Sequence, residues 1–488
     1  MTSRSLRHGA AGAPWKGRRV AVVGLGRSGQ AAARLLCRAG CRVSVTDAGR
    51  HAALEEAGAA LRAQGVETVE LGGHTEALIE RSDLVVVSPG LAELVAPIQW
   101  AARRGLPIIS EIELAFRFCP ASVVAVTGTN GKSSVVTMLA QVVRATGRPA
   151  IACGNLGLPF SAVIDQLTPQ SLAVVEVSSF QLTRCDTFRP AIGVLLNLGT
   201  NHLDRHGQRE AYIQAKARLF QQQTARDWAV FNGRDPLVAG LAKGVRAQVV
   251  WFGENRTNPP WARLSEHTQT ALGDNAQAVL QTCRILGVPD PLTWQVIRTF
   301  RGLEHRREPV GRIHGVTYVN DSKSTTPDSL VFALQQARGP LVVILGGRDK
   351  GLDFEPLAMV LREERIRGIV LIGESRARLR LVLGPSEKLR EASTLEAAIR
   401  EAMALAHPGD TVLFSPACAS FDMFRDFEER GRAFKAIVHR LNGTDPSPVD
   451  WRLARPGPSQ GRAGEAGGSR QEDEPRAANH EPGALSYR

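Results

Sequence analysis

Short apolar runs rich in valine and isoleucine alternate along the chain with longer stretches in which alanine and leucine recur at helical spacing. The first runs are Val20–Val23, Val43–Thr46, Leu84–Val87 and Pro107–Ile109. Short continuous apolar runs are typical of strands buried on both faces, and the stretches between them are typical of helices that cover a parallel sheet. The pattern therefore predicts successive βαβ units.

The same rhythm restarts twice, at Val123–Val126 and near Val316–Asn320, each time after a connector that contains glycine or proline. We therefore predict an α/β fold of three domains, each a mostly parallel sheet flanked by helices. The last residues are rich in Pro, Gly, Arg, Glu and Ser, a composition that cannot bury enough apolar area to order a segment. The predicted bounds are 1–17 for a disordered extension, 18–118, 119–309 and 310–442 for the three domains, and 443–488 for a disordered tail.

Composition narrows the function classes. The chain has 488 residues and a formal net charge of +12, which favours anionic ligands. Lysine and arginine are scattered without aromatic interleaving, so we expect no nucleic-acid partner. Seven cysteines without a C-x-x-C pair predict neither a zinc site nor disulfides and favour the cytoplasm. No apolar stretch approaches the ~20 residues that span a bilayer, so we expect no membrane insertion.

The first strand runs into GLGRSG, residues 24–29, a G-x-G-x-x-G turn that opens a helix, and Asp47 follows the second strand. Glycines at this spacing let the backbone approach a diphosphate at the helix N-terminus. The diphosphate could belong to NAD, as in a dehydrogenase, or to a UDP-sugar. A glycine turn that serves only helix–strand packing is the third alternative.

A second phosphate-binding signal is TGTNGKS, residues 127–133, between the strand Val123–Val126 and a helical stretch. Backbone amides from Gly128 to Gly131 and the Lys132 ammonium could hold phosphates, and a serine hydroxyl could reach Mg²⁺. The spacing is shorter than that of the common P-loop, because Val126 stands where the first glycine would be.

Polar residues follow the next two strands of this series. Glu176 closes the run Leu172–Val177, and His202 lies in NHLDRHG after Ile192–Leu196. Carboxylate oxygens are ligands that Mg²⁺ prefers, although a strand-end glutamate and a polar loop are the plainer interpretations. Lys216 follows in YIQAKARLF, where composition alone indicates a solvated helix lysine.

Three polar segments of the third domain also come directly after predicted strands, where open α/β sheets place their sites. They are VNDSKSTTPDS (319–329), LGGRDKGLDF (345–354) and SPACASFDMFRDFEERG (415–431). Their charges and hydroxyls suit an amino-acid or nucleotide ligand. Helix N-capping is the alternative role for Thr325 and Ser420.

Together these segments resemble the Mur ligases, and in particular the members that add D-glutamate. The likeness covers about Arg19 to Leu441, and its most discriminating part is SPACASFDMFRDFEERG. It implies a UDP-sugar-binding Rossmann-like first domain, a central P-loop-type ATPase domain and a Rossmann-like third domain. The implied reaction uses ATP and Mg²⁺ to activate the carboxylate of UDP-N-acetylmuramoyl-L-alanine as an acyl phosphate, which D-glutamate then attacks.

The resemblance also implies site residues. The catalytic residues would be Lys132, Glu176, His202 and Lys216. The Mg²⁺ ligands would be Ser133, Glu176, His202 and a carbamylated Lys216. ATP would be bound by Gly128, Thr129, Asn130, Gly131, Lys132, Ser133, Ser134, Asn275, Arg306 and Asp321. The UDP-sugar would be bound by Ser28, Thr46, Asp47, Ser88, Pro89, Gly90 and Asn155. D-Glutamate would be bound by Lys323, Thr325, Lys350, Ser420, Phe421 and Phe427.

Two positions depart from the family pattern. Asn201 stands where an aspartate often precedes the histidine, and Glu304 stands where a proline is common. The partners implied are small molecules only, and we expect a monomer. Two rival functions stay open: a sister Mur ligase that adds another amino acid, and an NAD-dependent dehydrogenase built on GLGRSG.

Overall fold

Three sheets form the framework of the molecule. A computed structural model describes residues 15–89, 91, 95–199, 209–253, 266–300, 302–349 and 351–443, with the side chains of 266–272 left out. In these ranges helices flank each sheet and all strand pairs but one are parallel, which confirms the predicted α/β class. No helix in these ranges is long and apolar enough to cross a membrane.

The first sheet has the strand order β3-β2-β1-β4-β5, and all its pairs are parallel. The order reverses beside β1, so the loops after β1 and β4 diverge to opposite faces and leave a crevice between them. The elements of this unit are β1 (Arg19–Val23), α1 (Arg27–Arg38), β2 (Arg42–Asp47), α2 (Ala52–Ala63), β3 (Thr68–Leu71), α3 (Glu76–Glu80), β4 (Leu84–Val87), α4 (Ala96–Arg103), β5 (Ile108–Ser110) and α5 (Glu111–Phe118).

The central sheet has the order β11-β10-β9-β6-β8-β7, again entirely parallel. Its middle strand β6 lies between β8 and β9, so the loops that follow these three strands meet at one edge. The elements are β6 (Ser122–Thr127), α6 (Lys132–Ala145), β7 (Ala150–Gly154), β8 (Leu172–Glu176), α7 (Ser179–Leu182), β9 (Ile192–Leu195), α8 (Arg209–Ala217), β10 (Trp228–Asn232), α9 (Pro236–Leu241), β11 (Gln248–Phe252), α10 (Glu266–Ile285, interrupted at Gly273) and α11 (Asp290–Thr299).

The third sheet has the order β12-β13-β17-β14-β15-β16. Its first strand pairs antiparallel with β13 and the remaining pairs are parallel. The predicted boundary between residues 309 and 310 falls inside β12. The elements are β12 (Glu308–Ile313), β13 (Val316–Asn320), α12 (Pro327–Gln336), β14 (Leu341–Gly346), α13 (Glu355–Val360), β15 (Ile366–Ile372), α14 (Arg376–Leu383), β16 (Leu389–Glu391), α15 (Leu395–Leu405), β17 (Thr411–Phe414) and α16 (Phe427–Asn442).

The first and central units share one hydrophobic core. A continuous cluster of buried side chains runs from Val22 and Leu36 in the first unit to Phe160, Val175 and Phe188 in the central unit. The third unit has two clusters of its own, one on each face of its sheet. The first two sheets therefore form one packed body, and the third unit carries a separate core.

Two buried carboxylates of α5 reinforce the joint between the first two units. Glu113 accepts hydrogen bonds from the backbone N–H groups of Asp186, Thr187 and Phe188 at 2.9–3.2 Å and pairs with Arg117 at 2.8 Å. Glu111 accepts from the Ser161 N–H at 2.6 Å, and its second oxygen has no partner. Because Glu111 is buried, its pKa is raised to about 7.

Glu111 should make stability fall as the pH rises. Its folded-state pKa of about 7 lies above the ordinary 4.5, so its contribution is complete below 4.5 and is lost between pH 4.5 and 7. Glu111→Gln keeps an acceptor for the Ser161 N–H and removes the buried charge. We expect this variant to gain about 1–3 kcal/mol over wild type in unfolding free energy at pH 8, and much less at pH 4.5.

The measurement is urea unfolding of both proteins at pH 4.5 and 8, with the exposed Glu56→Gln as the control. A Glu111→Gln variant whose stability changed with pH in parallel with wild type would contradict this assignment.

Candidate active site

The loop after β1 lies at the crevice of the first sheet and is held by two neighbouring strands. The Asp47 carboxylate accepts hydrogen bonds from the N–H groups of Leu25 at 2.6 Å and Gly49 at 2.7 Å. The Ser88 hydroxyl, after β4, donates to the Gly24 carbonyl at 3.1 Å. Gly24 has φ 94°, a conformation that favours glycine. This backbone leaves the N-terminus of α1 facing the crevice, as a diphosphate site requires.

The other residues predicted for this site differ in how far they are buried. Thr46 is buried, and its hydroxyl bonds to the Gly73 carbonyl at 3.2 Å and the His74 ring at 2.8 Å. Ser28 and Pro89 are partly exposed beside the loop. Gly90 lies outside the described residues. Asp47 and Thr46 thus hold the loop through contacts within the protein, and their roles towards a ligand stay predictions.

The phosphate loop of the central unit turns directly into α6. Gly131, the N-cap of α6, has φ 85°, and a Cβ at this position would collide with the Asn275 side-chain amide. The Lys132 ammonium folds back on the loop and donates to the carbonyls of Gly128 at 2.9 Å and Thr129 at 2.8 Å. Burial lowers the pKa of Lys132, and the Glu176 carboxylate opposes that shift.

Asn130 of this loop is fixed by the strand-end residue Asn197, whose amide oxygen accepts the Asn130 N–H at 2.8 Å. The Thr129 hydroxyl is 2.9 Å from the Tyr212 hydroxyl. Ser134 lies in the first turn of α6. The loop is therefore held in shape before any ligand arrives, which lowers the entropy cost of binding.

Glu176, at the end of β8, lies at the centre of the site. One of its oxygens accepts from the Ser133 hydroxyl at 2.5 Å, and the other accepts from the Asn155 amide at 2.9 Å. Burial alone would raise its pKa, but the charge of Lys132 and these two hydrogen bonds outweigh burial and lower it. Glu176 is therefore an ionised carboxylate that is buried next to positively charged lysines.

Lys216 is buried, which rules out the solvated helix lysine that composition alone suggested. Its amine donates to the Gly128 carbonyl at 2.9 Å and lies 4.7 Å from the centre of the Tyr212 ring. Burial and the nearby charge of Lys132 lower its pKa well below the ordinary value. Burial therefore makes the neutral form of this amine easier to reach than it is for a lysine in water.

In the third unit, Asp321 follows β13 and is buried. It accepts from the Ser415 hydroxyl at 2.8 Å and from the Arg307 N–H at 3.1 Å. Burial raises its pKa to about 6, and these two contacts limit the shift. Asp321 therefore joins the ends of β13 and β17 to the segment that leads out of the central unit.

Two cations from this side face the phosphate loop. The Arg306 guanidinium donates to the Ser133 hydroxyl at 3.3 Å, which joins this segment to α6. The Lys323 ammonium lies 5.7 Å from the centre of the Phe427 ring. Burial lowers the pKa of Lys323, the Arg306 charge lowers it further, and the Glu176 charge raises it. The charges of Arg306 and Glu176 are therefore near enough to Lys323 to influence its ionisation.

The remaining predicted pocket residues of the third unit differ in exposure. Ser420 is buried, Thr325 is partly exposed and Phe421 is 60% exposed. The two alternative capping roles are wrong, because Thr326 and Asp426 are the N-caps of α12 and α16. Lys350 of this set, and His202 of the metal set, lie outside the described residues.

Arg430 is a site-supporting residue that the sequence analysis missed. It is fully buried on α16, and its guanidinium donates to the Ser322 hydroxyl at 3.0 Å, the Ser322 carbonyl at 2.9 Å and the Cys418 carbonyl at 3.0 Å. It thus ties the loop that carries Lys323 to the loop that carries Ser420. Its position in the EERG end of the discriminating motif was the available signal.

Two more residues were missed because nothing in their local sequence marks them. Tyr212 lies one helical turn before Lys216, under its amine and against Thr129. His305 is buried with φ 62°, 3.0 Å from the Asn320 amide nitrogen. Tyr212 contacts the phosphate loop from a helix, and His305 contacts the end of β13 from the segment before β12. Their roles can therefore be recognised only in the packed structure.

Comparisons with known protein families account for this arrangement. The "Mur ligase MurD-like, N-terminal domain" family matches residues 18–110, the "Mur ligase middle domain" family matches 126–284, and the "Mur ligase, glutamate ligase domain" family matches 305–418. The chain belongs to the Mur ligase family. The phosphate loop, Glu176 and Lys216 of this Mur ligase lie in the middle-domain match.

Several curated relatives are similar over nearly their whole length. The UDP-N-acetylmuramoylalanine--D-glutamate ligase of Desulfosudis oleivorans is 39% identical over 449 residues, which cover 88% of this chain and 97% of that protein. The protein of the same name from Geobacter metallireducens is 40% identical over 453 residues, covering 88% and 99%.

Solved structures of Mur ligases share the fold. The UDP-N-acetylmuramate-alanine ligase MurC of Thermotoga maritima has a TM-score of 0.55 at 19% identity and covers 87% of this chain and 99% of its own. The MurF ligase of Thermotoga maritima, in complex with ADP, has a TM-score of 0.52 at 16% identity and covers 82% and 95%. At these identities the likeness concerns the architecture.

The described residues of this Mur ligase fit a Mg²⁺ ion that is shared with a phosphate group. Ser133 and Glu176 present hard oxygen atoms next to the phosphate loop. Within the described ranges no three His, Cys, Asp or Glu side chains cluster in a way that could hold a metal. Mg²⁺ commonly takes one or two carboxylates and completes its shell with substrate phosphate and water, so a sparse donor set suits it.

Proposed function

We propose that this Mur ligase adds D-glutamate to UDP-N-acetylmuramoyl-L-alanine in peptidoglycan synthesis, with ATP converted to ADP and phosphate. Relatives of that name align with 97% and 99% of their lengths, so all three units are included. The reaction needs ATP and Mg²⁺, and its other substrates are small molecules. We further propose that the enzyme is a monomer and acts in the cytoplasm.

One observation carries the proposal beyond family membership. Lys132, Ser133 and Glu176 of the central unit meet the cations Arg306 and Lys323 at a single site. Lys323 comes from the third unit and Arg306 from the segment that leads to it, and cations added from that side are suited to a reaction in which a second anionic substrate meets the phosphorylated one.

The residues of the chain divide the chemistry between them. Lys132 and the loop amides bind and neutralise the ATP phosphates, and Ser133 and Glu176 would hold a Mg²⁺ ion that would neutralise further phosphate charge. The alanine carboxylate attacks the terminal phosphorus and releases ADP, which gives an acyl phosphate. The neutral amine of D-glutamate then attacks the acyl carbon, loses a proton and expels inorganic phosphate. We assign Lys323 the role of supplying positive charge to the anionic substrate and the departing phosphate.

The choice of amino acid is assigned to the third unit. D-Glutamate brings two carboxylates, and the predicted pocket offers Lys323, Lys350, Thr325 and Ser420 as charged or hydroxyl donors. Charge-assisted hydrogen bonds contribute about 1.5–3 kcal/mol each, so two carboxylates held in this way separate glutamate from a cationic amino acid.

The deciding experiment measures phosphate release from ATP with UDP-N-acetylmuramoyl-L-alanine and one amino acid at a time. Release is expected with D-glutamate and is not expected with L-lysine, diaminopimelate or L-glutamate. Phosphate release with one of these other amino acids, and not with D-glutamate, would indicate a sister ligase. Reduction of NAD without phosphate release would favour the dehydrogenase and overturn the proposal.

Arg430 provides a test of the pocket itself. Arg430→Lys keeps the charge but cannot reach all three acceptors, so the loops that carry Lys323 and Ser420 should separate. We expect the D-glutamate KM to rise about tenfold, which corresponds to one charge-assisted hydrogen bond, with a much smaller change in the ATP KM. Steady-state kinetics checks this. Arg432→Lys, on the same helix and exposed, is the matched control. Equal changes in both KM values would show that Arg430 acts only on general stability.

A further inference from the structure

An arginine of the first unit reaches across to the third unit. Arg27 is the first residue of α1, inside the GLGRSG loop. Its guanidinium is 2.7 Å from a carboxylate oxygen of Glu428 and 3.4 Å from one of Asp426. These partners lie 401 and 399 residues away in sequence, at the start of α16. Two ion pairs therefore connect the predicted UDP-sugar loop to the unit that carries the predicted D-glutamate pocket.

Such a link matters because the third unit has a separate core. The first and central units share a continuous core, whereas the two clusters of the third unit contain only its own residues. Units that share little buried apolar surface are free to move relative to one another unless polar contacts hold them. In the described part of the chain, polar contacts that can hold the third unit include the two ion pairs of Arg27 and the hydrogen bond from Arg306 to Ser133.

The start of α16 is also tied to the site. Asp426 caps the helix through the Glu429 N–H at 2.7 Å, and the Phe427 carbonyl accepts from the Ser322 hydroxyl at 2.8 Å. The Phe427 ring lies under the Lys323 ammonium at 5.7 Å. Whatever holds the start of α16 therefore also sets the position of Lys323.

Glu428 pairs directly with Arg27, and the Lys323 ammonium also interacts with its charge. One of its oxygens pairs with Arg27, and the other is buried without a hydrogen-bond partner. A buried carboxylate oxygen that loses its counter-charge is costly. Removing the Arg27 charge alone should therefore weaken the contact between the two units more than removing the charges of Arg27 and Glu428 together.

We propose that Arg27, Asp426 and Glu428 form an ionic clasp that holds the amino-acid-binding unit against the UDP-sugar-binding loop and so couples the binding of the two substrates. The inference rests on the proposed function for the identity of those substrates. The clasp residues act through the position of Lys323 and Phe427, so they are positioning residues. The ion pairs are partly exposed, which makes the clasp weak enough to open for product release.

The test compares Arg27→Gln, Glu428→Gln and the charge-reversed double variant Arg27→Glu with Glu428→Arg. Each single variant should raise the D-glutamate KM about threefold to tenfold, and the double variant should recover most of this loss. In calorimetry, UDP-N-acetylmuramoyl-L-alanine should tighten D-glutamate binding to wild type but not to Arg27→Gln. Added salt should weaken this coupling in wild type.

Arg38→Gln is the matched control, because the Arg38–Asp165 ion pair at 2.9 Å lies between the two units that already share a core. It should leave the D-glutamate KM unchanged. If Arg27→Gln raises only the KM of the UDP-sugar substrate and Glu428→Gln behaves as wild type, Arg27 binds the diphosphate directly and the clasp is wrong.

Small-angle scattering gives a readout that does not depend on the proposed function. Arg27→Gln should increase the radius of gyration over wild type, and the charge-reversed double variant should reduce it again. A wild type that releases no phosphate with D-glutamate would defeat the proposed function but leave this comparison valid. Identical scattering from all three proteins would overturn the clasp.

Discussion

Lys132→Met is expected to lower kcat about 10²- to 10³-fold while the protein stays folded. The ammonium already lies inside the phosphate loop, 2.8–2.9 Å from two loop carbonyls. It is therefore preorganised to meet phosphate charge as that charge shifts in the transition state, and methionine keeps the side-chain length without the charge. Single-turnover phosphate release, with circular dichroism to check folding, measures the effect.

The matched control for this variant is Lys388→Met, which removes an exposed lysine of the third unit and should leave kcat unchanged. A Lys132→Met enzyme that kept more than about one tenth of the wild-type rate would have a barrier less than about 1.4 kcal/mol higher than wild type, too small an increase for the assigned role.

Lys216→Ala is expected to lower kcat about 10²-fold or more, and small carboxylates such as acetate should restore part of the activity. The resemblance to Mur ligases implies that this lysine is carbamylated, which turns a cation into an anionic oxygen ligand. The structure supplies what that reaction needs. The amine is buried, its pKa lies well below the ordinary value, and its neutral form can attack carbon dioxide.

Carbamylation has a direct readout. Wild type incubated with ¹³C-bicarbonate should show a carbamate carbon resonance by NMR, which Lys216→Ala should lack and Lys388→Ala should keep. The resonance should fade as the pH drops through the lowered pKa, because the protonated amine cannot hold the carbamate. Full activity of the alanine variant, or absence of the resonance from active wild type, would rule out the modification.

The strands that carry the site were predictable from the sequence, because each is a continuous run of valine, isoleucine and leucine between two helices. The strand ends then placed Lys132, Glu176 and Asp321 at the edges where such sheets bind ligands. Strands β3, β7, β10, β11, β12 and β16 were missed. β3 and β16 contain polar residues and are short, and β12 contains proline and glycine, so these three lack a continuous apolar signal.

By itself, the sequence determined the fold class, the phosphate loop and the family. Each of these depends on short contiguous segments, in which neighbouring residues set the local backbone conformation. The tertiary structure alone decided that Lys216 is buried beside the loop, that Arg430 joins two loops and that Arg27 meets Glu428. Such contacts join residues up to 401 positions apart. The energy of these contacts comes from burial and ion pairing after the units have packed. Burial and pairing between distant residues produce no periodic pattern in the sequence.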